Sequence, residues 1–493
     1  MKNIEKFIFR LFVTSSAGLL IYVLTILDII STSYGFLMLN ILVFVYILVE
    51  VNILKRSESY MWFFNPVIIA SIISFGIYYL LSNLIFIFSN ETMSMIRVTP
   101  EITLEMVKFM FLVLLALCAM WFGYSSNCYS ILFCLPVFSK LKNNNDNCIF
   151  YPRKNVLMIL LLISLISKLI QIRLGIFGYL STINPDNASR YYEYTQLIYY
   201  SSQFGAIALL MVSLMYFSED KSRYANISLW FYFILSEEVF LGFISGFKSA
   251  MFVPFLLVII CQYIKTNNIQ RKWLLYTLFS VMVAFSIIPS YRDALQKSQQ
   301  NGDSALDTTT SVLSSQDNGD NLQDVPIIIA VLSRLNLSYL GSQGIKYYDE
   351  NSYYAGDPNF LNKILLSPVS AWVPRFLWNS KSISNDGVWY TKYVLRNFNS
   401  LSSTAMSLIV NLYMAAGFIA VIVGYFFLGV MQRFILILTN PHNSLSGAFV
   451  YIAMLSTMSI NAEMLMDSVM INFFRLFPLL IVLQKILFKS ELR

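Results

Sequence analysis

Charge is scarce in this chain. Asp, Glu, Lys and Arg together make up 12% of its 493 residues, where a soluble globular domain carries about 25%. A surface so poor in charge excludes a water-soluble enzyme and a charged disordered scaffold. Histidine occurs once, as His442 in TNPHNS, and none of the five cysteines (Cys118, Cys128, Cys134, Cys148, Cys261) has metal-ligand spacing with a histidine. There is no Walker A loop, no GxSxG, no zinc motif, and no paired D-x-D in any segment expected outside the cytoplasm. ATP-driven transport, serine hydrolysis and metal-dependent glycosyl transfer are therefore unsupported, and no cofactor is expected. The excess of basic over acidic residues, 34 against 27, gives a formal charge of +7. Those cations are scattered at the ends of apolar runs, so no nucleic acid is expected as a partner.

Apolar length is what the chain has in quantity. Hydrophobic residues make up 57% of it and the mean hydropathy is +0.63. Runs of about 18 or more apolar residues predict spanning helices. They recur to give about 12 expected spans, near 8–29, 33–53, 62–88, 103–125, 154–173, 197–217, 227–246, 248–265, 272–290, 412–432, 446–462 and 466–486. The fold class expected is an all-α polytopic membrane protein embedded in a lipid bilayer. Lys2, Lys6 and Arg10 before an apolar run resemble a signal sequence, but no small-residue cleavage site follows, so this is read as a retained first helix. The stretch 405–439 is overlong for one span, and its first part reads as an amphipathic or re-entrant helix.

Lys and Arg in the short loops set the orientation. One set of loops holds Lys2, Lys6, Arg10, Lys55, Arg56, Lys140, Lys142, Arg153, Lys154, Lys221, Arg223, Lys265, Arg271, Lys272, Arg433, Lys485, Lys489 and Arg493. The opposite short loops hold little beyond Arg97, Arg173, Arg190 and Lys248. Both termini are expected to be cytoplasmic. Three regions follow: 1–290, a bundle of about nine helices; 291–403, one long external segment; and 404–493, the C-terminal helices. Within the long segment, 296–324 is nearly all Ser, Gln, Asn, Asp and Thr, a composition that cannot bury enough apolar surface to order itself; it is expected to be mobile. From Val325 apolar and aromatic residues alternate with charges, which predicts folding against the membrane surface. A short helix is expected over 325–338, and a second amphipathic element over 361–377, broken at Pro368 and Pro374. No cysteine falls in this segment, so no structural disulfide is expected.

The external side collects five cations: Arg190 in ASRYYEY, Lys248 in SGFKSAM, Arg292 in PSYRDAL, Arg334 in VLSRLNLS and Arg375 in WVPRFLW. Arg offers a planar fork to phosphate and Lys a point charge. Taken singly, each is equally well read as an interfacial anchor snorkelling to headgroups; gathered on the side that the positive-inside bias leaves poor in cations, they read as an anion-binding set. Lys248 sits in a minimal turn beside Ser245, Gly246 and Ser249, where a ligand can approach the backbone. Tyr192, Tyr291, Trp378 and Lys381 adjoin these cations and are candidate substrate contacts. Tyr347, Tyr348, Tyr353, Tyr354, Phe360, Trp372, Phe376, Trp389, Tyr390 and Tyr393 read first as an aromatic belt, with a platform for sugar rings as the alternative. Glu237 and Glu238 fall inside a span, where carboxylates are costly and function is the default reading. Lys168 is a candidate partner, and a structural ion pair and a catalytic base both stay open.

On these residues the chain resembles the Wzy family, the bacterial O-antigen and oligosaccharide repeat-unit polymerases. SGFKSAM is similar to the family's Gly-Ser-Arg turn, VPRFLWNSK to its Pro-Arg-Phe-x-x-Pro-x-Lys pattern, and SSTAMSLIVNLYMAAGFIAVIVGYFFLG to the Ser-Thr and Gly-rich helix after the long loop. Lys248 stands where the family has arginine, and Asn379 where it has proline. The likeness covers about residues 190–429. It implies a GT-C-like glycosyltransferase architecture. It also implies joining of undecaprenyl-diphosphate-linked oligosaccharides at the periplasmic face of the inner membrane, without metal or nucleotide sugar, and a chain-length regulator of the Wzz type as partner. Carried over by motif, Arg190, Lys248, Arg292 and Arg375 are the expected catalytic positions, with Arg334 behind them. Asp293, Glu193 and Asp386 are unranked candidates for the base. Two rivals remain: an O-antigen ligase, which resembles this family but uses an external histidine, and a lipid-linked oligosaccharide flippase, which needs no long external segment.

Overall fold

The computed structural model describes residues 2–57, 62–87, 101–183, 198–199, 201–218, 226–301, 332–333, 335–351, 358–373, 378, 386–398, 404–455, 457–458 and 462–492. Among them, ten helices are long and apolar enough to cross a membrane: Glu5–Ile26, Thr32–Ser57, Pro66–Phe86, Leu104–Ser125, Asn155–Arg173, Ile227–Ile244, Lys248–Thr266, Arg271–Arg292, Leu408–Thr439 and Met466–Leu487. This is the helical makeup of a polytopic membrane protein. Each helix coincides with an expected span. The remaining two expected spans form the helices Phe204–Tyr216 and Leu445–Leu455, of 13 and 11 residues, short of the ~20 that a crossing takes. One small departure from an all-α fold is an antiparallel ribbon pairing Cys148–Pro152 with Phe488–Leu492.

The chain folds as two compact units that cut across the three regions read from the sequence. One comprises 1–143, 323–438 and 454–480; the other 144–322, 439–453 and 481–493. In the first unit the helix Leu104–Ser125 is the hub, with Met106, Phe109, Leu112, Leu117, Met120 and Trp121 all buried. Glycines let the backbone of Leu408–Thr439 come close to it. A Cβ on Gly429 would lie 2.0 Å from the Met120 carbonyl oxygen, and one on Gly123 would lie 2.0 Å from that of Phe426. Small residues at such crossings are the usual route to tight helix packing in lipid. At one end Arg10 grips buried Glu50 through two hydrogen bonds of 2.8 and 3.0 Å.

Leu408–Thr439 is two helices. Ala416 (φ −160°, ψ 38°) and Gly417 (φ 63°, ψ −149°) break the helical path, as its excess length predicts. Before the break Asn411 Oδ1 accepts from the Met466 N–H at 2.9 Å and Leu408 N–H donates to Ala462. Two elements of the long segment differ from expectation. Helix Leu337–Glu350, capped by Asn336 Oδ1 on the Tyr339 N–H at 2.9 Å, begins where the expected helix should end, and residues 325–331 and 334 lie outside the described residues. It buries Leu337 and Ile345 completely and a Cβ on Gly341 would strike the Phe109 ring at 2.2 Å, so it belongs to the core, not to a surface layer. Helix Phe360–Ser370 runs through Pro368 unbroken; Pro374 lies outside the described residues.

In the second unit Lys154–Arg173, Phe204–Tyr216, Ile227–Ile244, Lys248–Thr266 and Arg271–Asn301 pack in sequence order. The helix Arg271–Asn301 carries helical backbone six residues into the polar stretch that begins at 296; 302–331 lies outside the described residues.

Candidate functional site

The turn between Ile227–Ile244 and Lys248–Thr266 is built by three residues. Ser245 closes the first helix, its Oγ donating to the Gly242 carbonyl at 2.6 Å and accepting the Phe247 N–H at 3.2 Å. Gly246 has φ +70°, the left-handed conformation that ends helices without a Cβ penalty. Phe247 is extended, and the second helix starts at Lys248. The two helices touch at Gly242, where a Cβ would lie 2.3 Å from the Ala250 carbonyl oxygen. Gly246 is thus required by its backbone, a stronger reason than the ligand access read from the sequence.

Two further segments hold this turn. Gly178 (φ +58°) leaves only enough room for the Ser245 carbonyl, 2.1 Å from where its Cβ would be, and the Tyr179 N–H donates to that carbonyl at 2.8 Å. From the helix Arg271–Asn301, Tyr291 donates its hydroxyl to the Ile244 carbonyl at 3.1 Å and stacks on Phe243. Arg292 donates Nε to the Gly246 carbonyl at 2.7 Å, and its guanidinium lies 4.5 Å from the Tyr179 ring centroid and 5.8 Å from that of Phe247. Tyr291 is buried, so its ring supports the turn from beneath instead of offering a face to a sugar.

Of the residues expected at the site, Lys248, Arg292 and Tyr291 therefore meet at one turn. Arg190, Tyr192, Glu193, Arg334, Arg375 and Lys381 lie outside the described residues, as does the side chain of Asp293. Trp378 is half-buried and belongs to the first unit. At the turn, Arg292 has no carboxylate partner among the described residues, which leaves its two Nη groups for a ligand. Lys248 is half-buried at the first position of a 19-residue helix. A cation there opposes the helix dipole, while the first-turn N–H groups favour an anion. Phosphate suits the combination of an arginine fork, an ammonium and a helix N-terminus.

The first unit holds a second group of polar residues. Lys363 is ion-paired with Asp386, which is buried and whose Oδ2 has no hydrogen-bond partner. Asp467, also buried with an unpartnered Oδ1, lies within the electrostatic reach of both. Asp386 is thus tied up in an ion pair. Lys108 lies 2.5 Å from Asp349, which also accepts the Tyr413 hydroxyl at 3.0 Å. Phe360, Trp389 and Tyr390 are buried; Tyr390 donates to the Leu340 carbonyl, and burial pushes its hydroxyl far above the usual range. These three aromatics serve the core and neither a belt nor a sugar platform, whereas Trp372 is exposed. A cavity of about 810 Å³ in this unit is lined by Arg10, Glu50, Trp121, Ser125 and Arg433, at the opposite end of Leu104–Ser125 from Lys108.

Sequence reasoning missed Gly178, Tyr179, Lys363 and Arg475. Arg475 sits inside an apolar helix and donates to the Ala371 carbonyl at 3.1 Å; its position in a span was signal enough to single it out. No pattern marks Gly178 and Tyr179. Comparison of the chain with protein-family models, curated proteins and solved structures finds no match.

Proposed function

We propose that this chain is a membrane glycosyltransferase that joins oligosaccharide units carried on undecaprenyl diphosphate. In this reading it has twelve spans in a GT-C-like arrangement, lies in the bacterial inner membrane with both termini cytoplasmic, and works with a chain-length regulator of the Wzz type. Two things support it: the resemblance of SGFKSAM, VPRFLWNSK and the Gly-rich helix to repeat-unit polymerases, and the turn at Gly246. The carrying observation is that Arg292, free of any carboxylate among the described residues, is bonded to the same turn that presents Lys248 at a helix N-terminus.

The chemistry follows from charge. A donor glycan is bonded through its anomeric carbon to the diphosphate. As an acceptor hydroxyl oxygen attacks that carbon, the carbon–oxygen bond to the diphosphate breaks and negative charge grows on the leaving group. Lys248 and Arg292 stabilise that charge; removal of one such preorganised group costs about 10²–10³-fold in rate. The hydroxyl proton passes to a carboxylate or to water. Arg292 acts with a fixed orientation, because its Nε is already held by the Gly246 carbonyl and its plane by Tyr179.

The test is a deletion strain carrying plasmid copies of the gene, read on a polysaccharide gel. Loss of long chains on deletion, with single repeat units retained, supports the reading. Lys248→Ala and Arg292→Ala should restore membrane insertion but not long chains. Full-length polysaccharide in the deletion strain overturns the assignment.

A further inference from the structure

A buried group of three charges lies in the second unit, below the turn and apart from it. Lys168 Nζ sits 2.5 Å from Glu238 Oε1 and 3.1 Å from Glu237 Oε1. Lys168 is buried, and the two Glu side chains are 9% and 13% exposed. Adjacent helical residues point about 100° apart, yet both carboxyl groups converge on one ammonium. Glu238 is six residues, about 9 Å, from the Ile244 end of its helix, inside a segment long and apolar enough to span a membrane.

The charges do not balance. One ammonium faces two carboxylates, a net of one negative charge when all three are ionised. Glu237 Oε2 is buried without a hydrogen-bond partner, and Glu237 Oε1 and Glu238 Oε1 lie 3.1 and 2.5 Å from the same ammonium nitrogen. Among the described residues no second cation bonds either carboxyl group, and the other cations of the Lys168 helix, Lys154 and Arg173, stand at its two ends. The helix Phe204–Tyr216, packed against both charged helices, has no ionisable residue except Tyr216 at its last position; that ring stacks on Phe231. The antiparallel helix Lys248–Thr266 passes this level near Pro254 and Phe255, with its ionisable residues Lys248, Cys261, Tyr263 and Lys265 toward its ends. The space is reserved: a Cβ on Gly205 would lie 1.9 Å from Glu238 Oε1, 2.7 Å from Ser164 Oγ and 2.9 Å from Lys168 Nζ. Ser164 donates in turn to the Ser202 carbonyl at 2.9 Å.

We propose that Glu237 and Glu238 form an intramembrane proton-binding site that holds one proton between them at neutral pH beside Lys168. A buried unpaired charge neutralises itself before it persists in low dielectric. A proton needs no space and removes the surplus negative charge, whereas a metal cation would compete with the ammonium for the same oxygens. The site is independent of the polymerase reading and stands or falls on its own measurement. Its sign is fixed: the folded protein binds a proton that the unfolded chain, with ordinary carboxylates, has lost by pH 7. Stability therefore falls as pH rises from neutral toward the release of that proton.

The full chain in lipid nanodiscs tests this by infrared spectroscopy and thermal melting. Expected is a protonated-carboxyl stretching band at neutral pH that is lost in Glu238→Gln and in Glu237→Gln. Each of these variants should melt with the wild type at pH 7, because Gln mimics the protonated acid, and should lose the alkaline decline. Glu237→Gln/Glu238→Gln, which strands Lys168, should melt lower. Absence of the band in wild type, its persistence in both single variants, or stabilisation of wild type by added sodium ions at neutral pH would overturn the proposal.

Discussion

At the scale of single residues, the decisive contacts are those that hold a charge where lipid would expel it. Lys363 shows the rule in isolation. Its partner Asp386 is 3% exposed, so removing the ammonium leaves a buried charge, and breaking such a pair from one side costs about 3–5 kcal/mol. Lys363→Ala should lower the melting temperature sharply, and Lys363→Met with Asp386→Asn should recover most of the loss. Gly246 carries a different burden. Gly246→Ala keeps every charge but places a Cβ at φ +70°, 3.1 Å from Tyr179 Cβ. Backbone strain of about 1–3 kcal/mol should loosen the turn under Lys248 and reduce chain length on a gel while the protein still inserts. His442 responds to pH. Burial and the nearby Lys265 charge lower its affinity for a proton, so the unfolded chain takes up that proton first. Stability then declines slightly as pH falls below about 6.5, a slope that His442→Gln should flatten. The sequence offered Lys168 as a partner for Glu237 and Glu238, and the structure pairs them; it did not offer Lys363 for Asp386, because the two are 23 positions apart and nothing in either segment encodes the meeting.

At the scale of elements, apolar run length found every described membrane helix, since a span must satisfy its own backbone and needs no neighbour to be recognised. The overlong run from Leu408 was also legible, and its break falls where Ala416 and Gly417 leave the helical region. What run length cannot show is which helices touch. Gly429 and Gly417 are both glycines in one helical run and are held for opposite reasons. Gly417 has a glycine-only conformation with nothing within 4 Å of its missing Cβ, whereas Gly429 has the Met120 carbonyl oxygen at 2.0 Å. Gly417→Ala should therefore destabilise by strain alone, about 1–3 kcal/mol. Gly429→Leu should force the two helices apart, and melting in detergent would show the larger drop for Gly429→Leu. The amphipathic pattern of Leu337–Glu350 fits a membrane surface as well as it fits a core; the burial of Leu337 and Ile345 and the fit of Gly341 against Phe109 distinguish them.

At the scale of the whole chain, the two units interleave in sequence: the first takes 323–438 and 454–480 after the second has begun at 144. Linear reading divides a chain at composition shifts; the shift near 324 falls beside one crossing, at 322–323, but no shift tells that 439–453 returns to the second unit. Orientation is a different kind of property, fixed by the bias of Lys and Arg among the loops and not by contacts. It can be checked with thiols the protein already has. Cys128 and Cys134 are free and exposed, in a segment that the bias assigns to the cytoplasm, while Cys118 and Cys261 are buried. A membrane-impermeant maleimide added to intact spheroplasts should leave Cys128 and Cys134 unlabelled, and labelling should appear once the membrane is permeabilised. Labelling of either in intact spheroplasts would invert the topology. It would put the Gly246 turn on the cytoplasmic side, away from the glycans the polymerase reading assigns to it, while leaving the Glu237–Glu238 proton site untouched.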